Sequence, residues 1–179
     1  MDNNQMAADR LVEQANFFHR EKEYEQAIAA YREAIALMPH DPTYLAYHFM
    51  IGDMLAEMQR YAEAADAFRE TVQAVAHYDE AWLKLGQCLL KLEQDAAAVD
   101  AFDRCLEILL ARSEGDRVEA WYEFETNDRI SQAWYDGALA HARLGHPAEA
   151  RRYLAAALQL QPSRKRHARQ EPLLKDYVS

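Results

Sequence analysis

The chain has 179 residues, half of them hydrophobic, only ten Gly or Pro, and a formal net charge of −10. This composition excludes a disordered chain, favours helices over strands, and is sufficient for one domain with a packed core. The acidic balance argues against a nucleic-acid partner, because such binding depends on basic side chains that neutralise phosphates.

The first residues, MDNNQMAADR, lack the basic and apolar regions of a signal peptide, and no apolar run approaches the length of a transmembrane helix. We therefore expect a cytoplasmic protein with no membrane insertion. In a reducing compartment, Cys88 and Cys105 are expected to be buried thiols rather than a disulfide.

An internal repeat runs through most of the chain. Four segments share an alanine, a large residue four positions later and a small residue three positions beyond that. The alanines are Ala27, Ala64, Ala98 and Ala150, the large residues Tyr31, Phe68, Phe102 and Leu154, and the small residues Ala34, Thr71, Cys105 and Ala157. Each segment follows a second amphipathic stretch, so the pattern predicts four helix pairs in one domain covering residues 1–179. Their predicted bounds are about residues 8–41, 45–78, 79–112 and 131–164.

The first repeat is separated from the second by 37 residues rather than 34, the three additional residues being Pro42, Thr43 and Tyr44. Asp41 followed by Pro42 is a favourable helix start, with a capping carboxylate and a proline at the first helical position. The sequence therefore predicts that the first helix of the second repeat begins about one turn early.

Residues 113–130, SEGDRVEAWYEFETNDRI, separate the third repeat from the fourth. Gly115 and Asp116 suit a helix end and a new helix start, so the third repeat is expected to end near Leu109 and Leu110. A short helix over residues 117–126 would follow, with Asn127 or Ser131 capping the next helix. The alternative is that the preceding helix continues into the insertion.

Three aromatic residues of the insertion are possible partner contacts: Trp121, Tyr122 and Phe124. They either pack over the joint between the third and fourth repeats or reach over a binding groove. After the fourth repeat, the basic segment 165–179 is expected to cap the last apolar face.

The sequence contains no recognisable catalytic or cofactor motif, whether a Gly-rich phosphate loop, a nucleophile elbow or a paired Cys-x-x-Cys. No two of its seven histidines lie three or four residues apart, as helical metal ligands would. We therefore expect a non-enzymatic protein without a cofactor or metal.

The motif residues resemble those of the tetratricopeptide repeat family. Its characteristic slots are filled in the third repeat by Trp82, Leu85, Gly86, Ala98 and Phe102, with Cys105 in place of an alanine. Small residues such as Gly86 and Ala98 let the two helices approach, while Phe102 fills the space beside them. The resemblance implies an all-α, right-handed superhelical solenoid of four helix pairs, with an insertion between the third and fourth. It also implies a scaffold or chaperone-like function, with a partner peptide or helix bound in a concave groove.

In this family the first helix of each repeat lines the groove. Mapped by register, the predicted partner-binding residues are Val12, Asn16, Phe49, Met50, Asp53, Leu83, Lys84, Gln87, Tyr135 and Leu139. The same register places Glu13, His19, Arg20, Gln132 and Asp136 on this face. Some members clamp the C-terminal carboxylate of heat-shock chaperones, but Val12, Met50 and Glu80 occupy three of the five clamp positions and carry no donor for it. A protein or peptide of other chemistry is the expected partner, and self-association as a homodimer is the alternative.

Overall fold

The computed structural model describes residues 3–113 and 120–178, with the backbone alone for residues 45, 113 and 120–124. The described residues are all-α and contain no strand. The helices are α1 (Asn3–Arg20), α2 (Tyr24–Leu37), α3 (Pro42–Leu45), α4 (Tyr47–Glu57), α5 (Tyr61–Ala74), α6 (Asp79–Lys91), α7 (Asp95–Ser113), α8 (Ala120–Arg143), α9 (Pro147–Leu160) and α10 (Lys165–Gln170). Single 3-10 turns lie at Pro162–Arg164 and Lys175–Tyr177.

The chain divides into two compact units, Met1–Ala76 and His77–Ser179. The first unit holds α1 to α5, and the second holds α6 to α10. The single domain and the repeat bounds given by the sequence stay predictions. Cys88 and Cys105, both in the second unit, are buried thiols that form no disulfide with each other, as expected.

Three-residue loops join the helices of each pair, α1 to α2, α4 to α5, α6 to α7 and α8 to α9. The middle residue of each loop has a positive φ, and these residues are Lys22 (61°), Gln59 (59°), Glu93 (59°) and Gly145 (72°). The next N–H donates to a carbonyl five residues earlier, as in the 2.9 Å bond from Glu23 to Phe18. A residue in the left-handed region lets the following N–H bond back to the helix. This bond satisfies a carbonyl that would otherwise lack a partner at the end of the first helix of each pair.

Close helix contact depends on a glycine facing an aromatic ring. A β-carbon added to Gly86 would lie 2.5 Å from the Phe102 ring, and one added to Gly52 would lie 2.7 Å from Phe68. Phe102 is fully buried, so the ring fills the space that the missing side chain leaves. The predicted packing of Gly86 against Phe102 is confirmed.

The fourth pair keeps this contact but moves it by one residue. Gly137 faces Tyr153, with a virtual β-carbon 2.7 Å from that ring, rather than Leu154 as the alanine register suggested. The glycine and the aromatic residue are again sixteen positions apart, as in the second and third pairs. The fourth pair therefore preserves the close packing with a tyrosine in place of the phenylalanine, and Leu154 is also buried.

The early helical turn predicted for the second repeat is confirmed. The Asp41 side chain accepts a 2.8 Å hydrogen bond from the Thr43 backbone N–H, with Pro42 at the first helical position. This turn forms the short helix α3, and α4 follows after Ala46.

The prediction of a separate short helix within the insertion is wrong. Helix α7 runs past Leu109 and Leu110 to Ser113, and α8 is one continuous helix from Ala120 to Arg143. Asn127 and Ser131 lie inside α8 and do not cap it. The insertion therefore extends the first helix of the fourth pair at its N-terminal end.

Tertiary contacts explain why α8 continues through these positions. The buried Ser131 hydroxyl donates to the Ala157 carbonyl at 3.1 Å, and Thr126 and Ile130 are also buried. Residues that pack in this way lose their preference for a helix cap, because the tertiary environment overrides local propensity. Gly115 and Asp116 lie outside the described residues.

The C-terminal segment packs onto the rest of the second unit and buries two of its apolar side chains. Ala168 of α10 and Leu174 are fully buried. The Arg151 guanidinium of α9 lies 5.9 Å from the centre of the Tyr177 ring, within cation–π range.

Candidate functional site

The first unit carries five of the predicted partner-binding residues on α1 and α4. Asn16 is exposed, and Met50 and Asp53 are half-buried. Val12 and Phe49 are only 9% and 7% exposed, and the Phe49 ring packs 5.6 Å from that of Phe68. We name the open residues Asn16, Met50 and Asp53 the first face.

Within the first face, Asn16 accepts a hydrogen bond from the second helix of the first pair. The Tyr31 hydroxyl donates to Asn16 Oδ1 at 2.6 Å, which fixes the amide with its nitrogen turned away. Asn16 also borders an open cavity of about 460 Å³ with Glu13, His19 and Arg20, all placed on this face by the sequence register. An amide and three charged or titratable groups around one cavity suit a polar ligand segment.

The second unit carries the other five predicted residues on α6 and α8. Lys84, Gln87, Tyr135 and Leu139 are half-buried, and we name them the second face. Leu83 is 6% exposed, so little of its surface is open to a partner.

A hydrogen-bond network joins the two helices of the second face. Gln87 Nε2 of α6 donates to Asp136 Oδ2 at 3.0 Å, and Gln132 Nε2 donates to the same oxygen at 2.8 Å. Gln132 Oε1 in turn accepts from Arg164 Nη1 at 2.7 Å. These bonds fix the orientation of both amides, and a partly buried network of this kind restrains the side chains that it joins.

Asp136 is the buried centre of this network, with 7% of its surface exposed. Burial raises the pKa of its carboxyl, and this effect outweighs the hydrogen bonds from Gln132 and Gln87 and the nearby charges of Arg164 and Lys91. The carboxyl is therefore easier to protonate than an exposed one.

A second buried carboxylate, Asp79, lies at the start of α6. Arg112 Nη1 contacts its Oδ1 at 2.6 Å, and Arg129 Nε lies 3.2 Å from its Oδ2. Arg129 belongs to the insertion, so this ion pair connects the extended part of α8 to α6 and α7. A buried carboxylate with two arginine partners is best explained as a structural joint.

Several contact residues were missed by reading the sequence. Arg164 is the last residue of the fourth predicted repeat and Arg129 lies in an acidic, aromatic insertion, so neither position predicts a site residue. The sequence signal for the network that holds Arg164 is the helix register, which places Gln87, Gln132 and Asp136 on one face. The side chains of Trp121, Tyr122 and Phe124 lie outside the described residues, so their role stays a prediction.

Among the residues that the structure describes, no cluster of three or more His, Cys, Asp or Glu side chains could hold a metal ion. Within the same residues, every helix is too short or too polar to cross a bilayer.

Three tetratricopeptide repeat models match the chain, over residues 7–77, 49–116 and 131–164. The mouse (Mus musculus) protein DnaJ homolog subfamily C member 7 is 29% identical over 101 residues, which are 56% of this chain and 20% of that protein. The chain thus spans about a fifth of the length of this curated relative.

Two solved structures share the fold. MamA from residue 41 onward, from Desulfovibrio magneticus RS-1, aligns with a TM-score of 0.70 and 19% identity, over 95% of this chain and 82% of that one. The first tetratricopeptide domain of Spaghetti (RPAP3), bound to the HSP90 peptide SRMEEVD, aligns with a TM-score of 0.54 and 18% identity, over 72% and 91%. Repeat matches along most of the chain, together with paired helices in glycine–aromatic contact, show that the chain belongs to the tetratricopeptide repeat family.

Proposed function

We propose that the chain is a non-catalytic interaction module, either a scaffold or chaperone-like. It binds a segment of another polypeptide on the first helix of each repeat. The observation that carries this proposal is the second face, where Gln87 is fixed by Asp136 beside the half-buried Lys84, Tyr135 and Leu139. Fixed polar groups next to partly exposed apolar and aromatic side chains are typical of peptide-binding surfaces. A protein of the same fold that holds a peptide, the RPAP3 domain, supports it.

The proposed partner differs from the HSP90 peptide SRMEEVD. Val12 is buried and apolar, Met50 is apolar, and the carboxylate of Glu80 lies 4.0 Å from Arg129. These three positions supply no donor to a peptide carboxylate, so we expect SRMEEVD to bind no better than a scrambled peptide.

A binding experiment tests the second face directly. Peptides selected from a random phage-displayed library on the whole chain are measured by fluorescence anisotropy. The variant Lys84→Glu with Leu139→Gln should weaken binding at least tenfold, since it reverses one charge and removes one apolar contact. The matched control, Arg104→Glu with Leu110→Gln, makes the same two chemical changes on exposed positions of α7 and should alter binding less than twofold.

Equal loss in the two double variants would contradict a peptide site on the second face. Self-association, the alternative function, predicts a different result: light scattering would show a dimer that the Lys84→Glu, Leu139→Gln variant dissociates. A monomer that binds the selected peptides supports the interaction module.

A further inference from the structure

A second open cavity lies beside the second face, where the chain leaves α9. Tyr135 of α8 and the residues after α9 surround an open cavity of about 360 Å³, which we name the C-terminal pocket. Its lining side chains are Tyr135, Gln161, Ser163, Arg164 and His167. All five carry hydrogen-bond donors in at least one protonation state, and none of these lining residues is acidic.

Arg164 is held in position within this pocket. Its Nε donates to Gln161 Oε1 at 2.6 Å, its Nη1 donates to Gln132 Oε1 at 2.7 Å, and its Nη2 lies 3.4 Å from Asp128 Oδ1. The guanidinium also lies 5.8 Å from the centre of the Tyr135 ring. A guanidinium has five N–H groups, and these bonds use three of them. A side chain ordered in advance loses little conformational entropy when it binds a ligand.

The segment that carries Arg164 is basic, but an acid also lies near the pocket, because burial and the charge of Glu171 both raise the pKa of Tyr135. Residues 163–170 contain four arginine or lysine residues and no acid. The 3.4 Å contact to Asp128 is long for a charge-assisted bond and its aspartate side chain is 54% exposed, so it neutralises Arg164 only in part. Asp136, on the far side of Gln132, is buried, and burial raises the pKa of its carboxyl.

We infer that the C-terminal pocket binds a carboxylate group of the partner polypeptide, with Arg164 as the charged donor and Tyr135, Ser163 and His167 as neighbouring donors. Planar guanidinium groups bind carboxylates through two parallel N–H bonds, and two N–H groups is the number that Arg164 has left. A single guanidinium, partly paired already, suits a singly charged carboxylate better than a phosphate dianion. This inference rests on the proposed peptide-binding function.

The experiment uses the full chain, labelled with ¹⁵N, and defined peptides as probes. Hexaglutamate with both ends blocked offers only side-chain carboxylates, and hexaglutamine with a free C-terminus offers only the terminal carboxylate. Blocked hexaglutamine and inorganic phosphate are the comparisons. We expect one or both carboxylate probes to shift the signals of Tyr135 and His167, and blocked hexaglutamine to leave them unchanged.

Two variants make the assignment specific. Arg164→Gln should weaken binding of the carboxylate probe at least tenfold, whereas Arg166→Gln, which removes the same charge from an exposed neighbour, should change it less than twofold at 150 mM salt. Arg164→Lys keeps the charge without the planar fork and should weaken binding several-fold while preserving the helical circular-dichroism signal.

Equal losses in Arg164→Gln and Arg166→Gln would overturn the inference, because diffuse attraction to the basic segment would then explain binding. Stronger binding of phosphate than of either carboxylate would overturn the assignment of the ligand. If library-selected peptides bind the second face while the carboxylate probes fail to bind, this inference fails and the proposed function stands.

Discussion

In the first unit, tyrosine hydroxyls join neighbouring helices, whereas in the second unit arginine guanidinium groups make most such links. Tyr24 donates to Glu57, Tyr31 to Asn16 and Tyr44 to Asp9. In the second unit, Asp79 contacts Arg112 and Arg129. Arg143 Nη1 donates to the Leu90 carbonyl at 2.8 Å and lies 3.4 Å from Asp95. Arg164 lies 3.4 Å from Asp128. Tyr153 donating to Asp103 is the second unit's counterpart of the tyrosine type.

This difference shows that the helices of one repeat architecture can be joined by two kinds of polar contact, tyrosine hydroxyl bonds and arginine contacts. Hydroxyl bonds respond weakly to salt, while ion pairs are screened by it to the extent that their charges are exposed. Tyrosine hydroxyls lose their proton at high pH, while arginine stays protonated. The two units should therefore respond differently to the same conditions.

The largest expected effect concerns what the units share, the glycine–aromatic contact. Gly86→Ala places a β-carbon 2.5 Å from Phe102, and Gly52→Ala places one 2.7 Å from Phe68. Each should lower the free energy of unfolding by about 2–3 kcal/mol, because the buried ring has nowhere to move. Urea unfolding followed by circular dichroism measures both losses.

A double variant shows whether the clash is the cause. Gly86→Ala combined with Phe102→Leu should lose less stability than the sum of the two single changes, since the smaller side chain makes room. Strict additivity would mean that the β-carbon does not meet the ring. Tryptophan fluorescence assigns the loss to the second unit, because Trp82, Trp121 and Trp134 all follow residue 77.

The next effect sharpens the contrast between ion pairs and hydroxyl bonds. Asp79→Asn should lower the free energy of unfolding by about 2 kcal/mol at low salt, since two arginine contacts to a buried carboxylate are lost. Tyr31→Phe should cost about 1 kcal/mol, the value of one neutral hydrogen bond. Raising the salt concentration from 0.05 to 1 M should leave the second loss unchanged and reduce the first only slightly, through the partly exposed arginine side chains, because a buried carboxylate is screened much less than an exposed one.

Arg104→Gln is the control for that measurement. Arg104 pairs with Glu107 one turn away, and both side chains are more than half exposed. Such a pair contributes about 0.5 kcal/mol or less. If Asp79→Asn costs no more than Arg104→Gln, the buried ion pair does not fasten the second unit.

How far the sequence predicts this structure depends on whether the pattern is local. The alanine register and the Asp41–Pro42 start are read from neighbouring residues, and the helix pairs and the early turn follow from them. The course of α8 is not local, because Ser131 and Arg129 are fixed by Ala157 and Asp79, which lie far away in the chain.

The candidate site shows the same limit. Helix register predicts that Gln87 and Asp136 lie on the same face, but it does not predict the hydrogen bond between them. Arg164 joins this network from the last position of the fourth predicted repeat, after α9 has ended, so helical periodicity could not identify it. Burial of Phe49 and Leu83 likewise depends on packing that register alone does not determine.

A smaller effect is expected from pH. The hydrogen bond to Asp9, together with burial, raises the pKa of Tyr44 to about 12. The folded state therefore holds this proton more tightly than the unfolded chain, whose tyrosines titrate near pH 10. The stability that Tyr44 contributes is complete below pH 10 and is lost as the pH rises through 12.

Phenolate absorbance at 295 nm measures the ionisation of Tyr44 directly. The difference between the parent and Tyr44→Phe titrations should show a midpoint near pH 12, and the urea midpoints of the two proteins should converge over the same range. A Tyr44 midpoint near pH 10 in the folded protein would mean that the hydroxyl does not bind Asp9.

The smallest effect concerns the three-residue loops within the helix pairs, where the middle residue is glutamine in one loop of the first unit and glycine in one loop of the second. Gln59 in the first unit and Gly145 in the second both have positive φ at the middle of a three-residue loop. Gly145→Ala should cost about 1 kcal/mol, because a β-carbon is disfavoured in the left-handed region. Gln59→Gly removes that strain but adds flexibility to the unfolded chain, so its net gain should be only about 0.3 kcal/mol. A gain near 1 kcal/mol in urea unfolding would mean that backbone strain at Gln59 far exceeds the entropy that its side chain removes from the unfolded state.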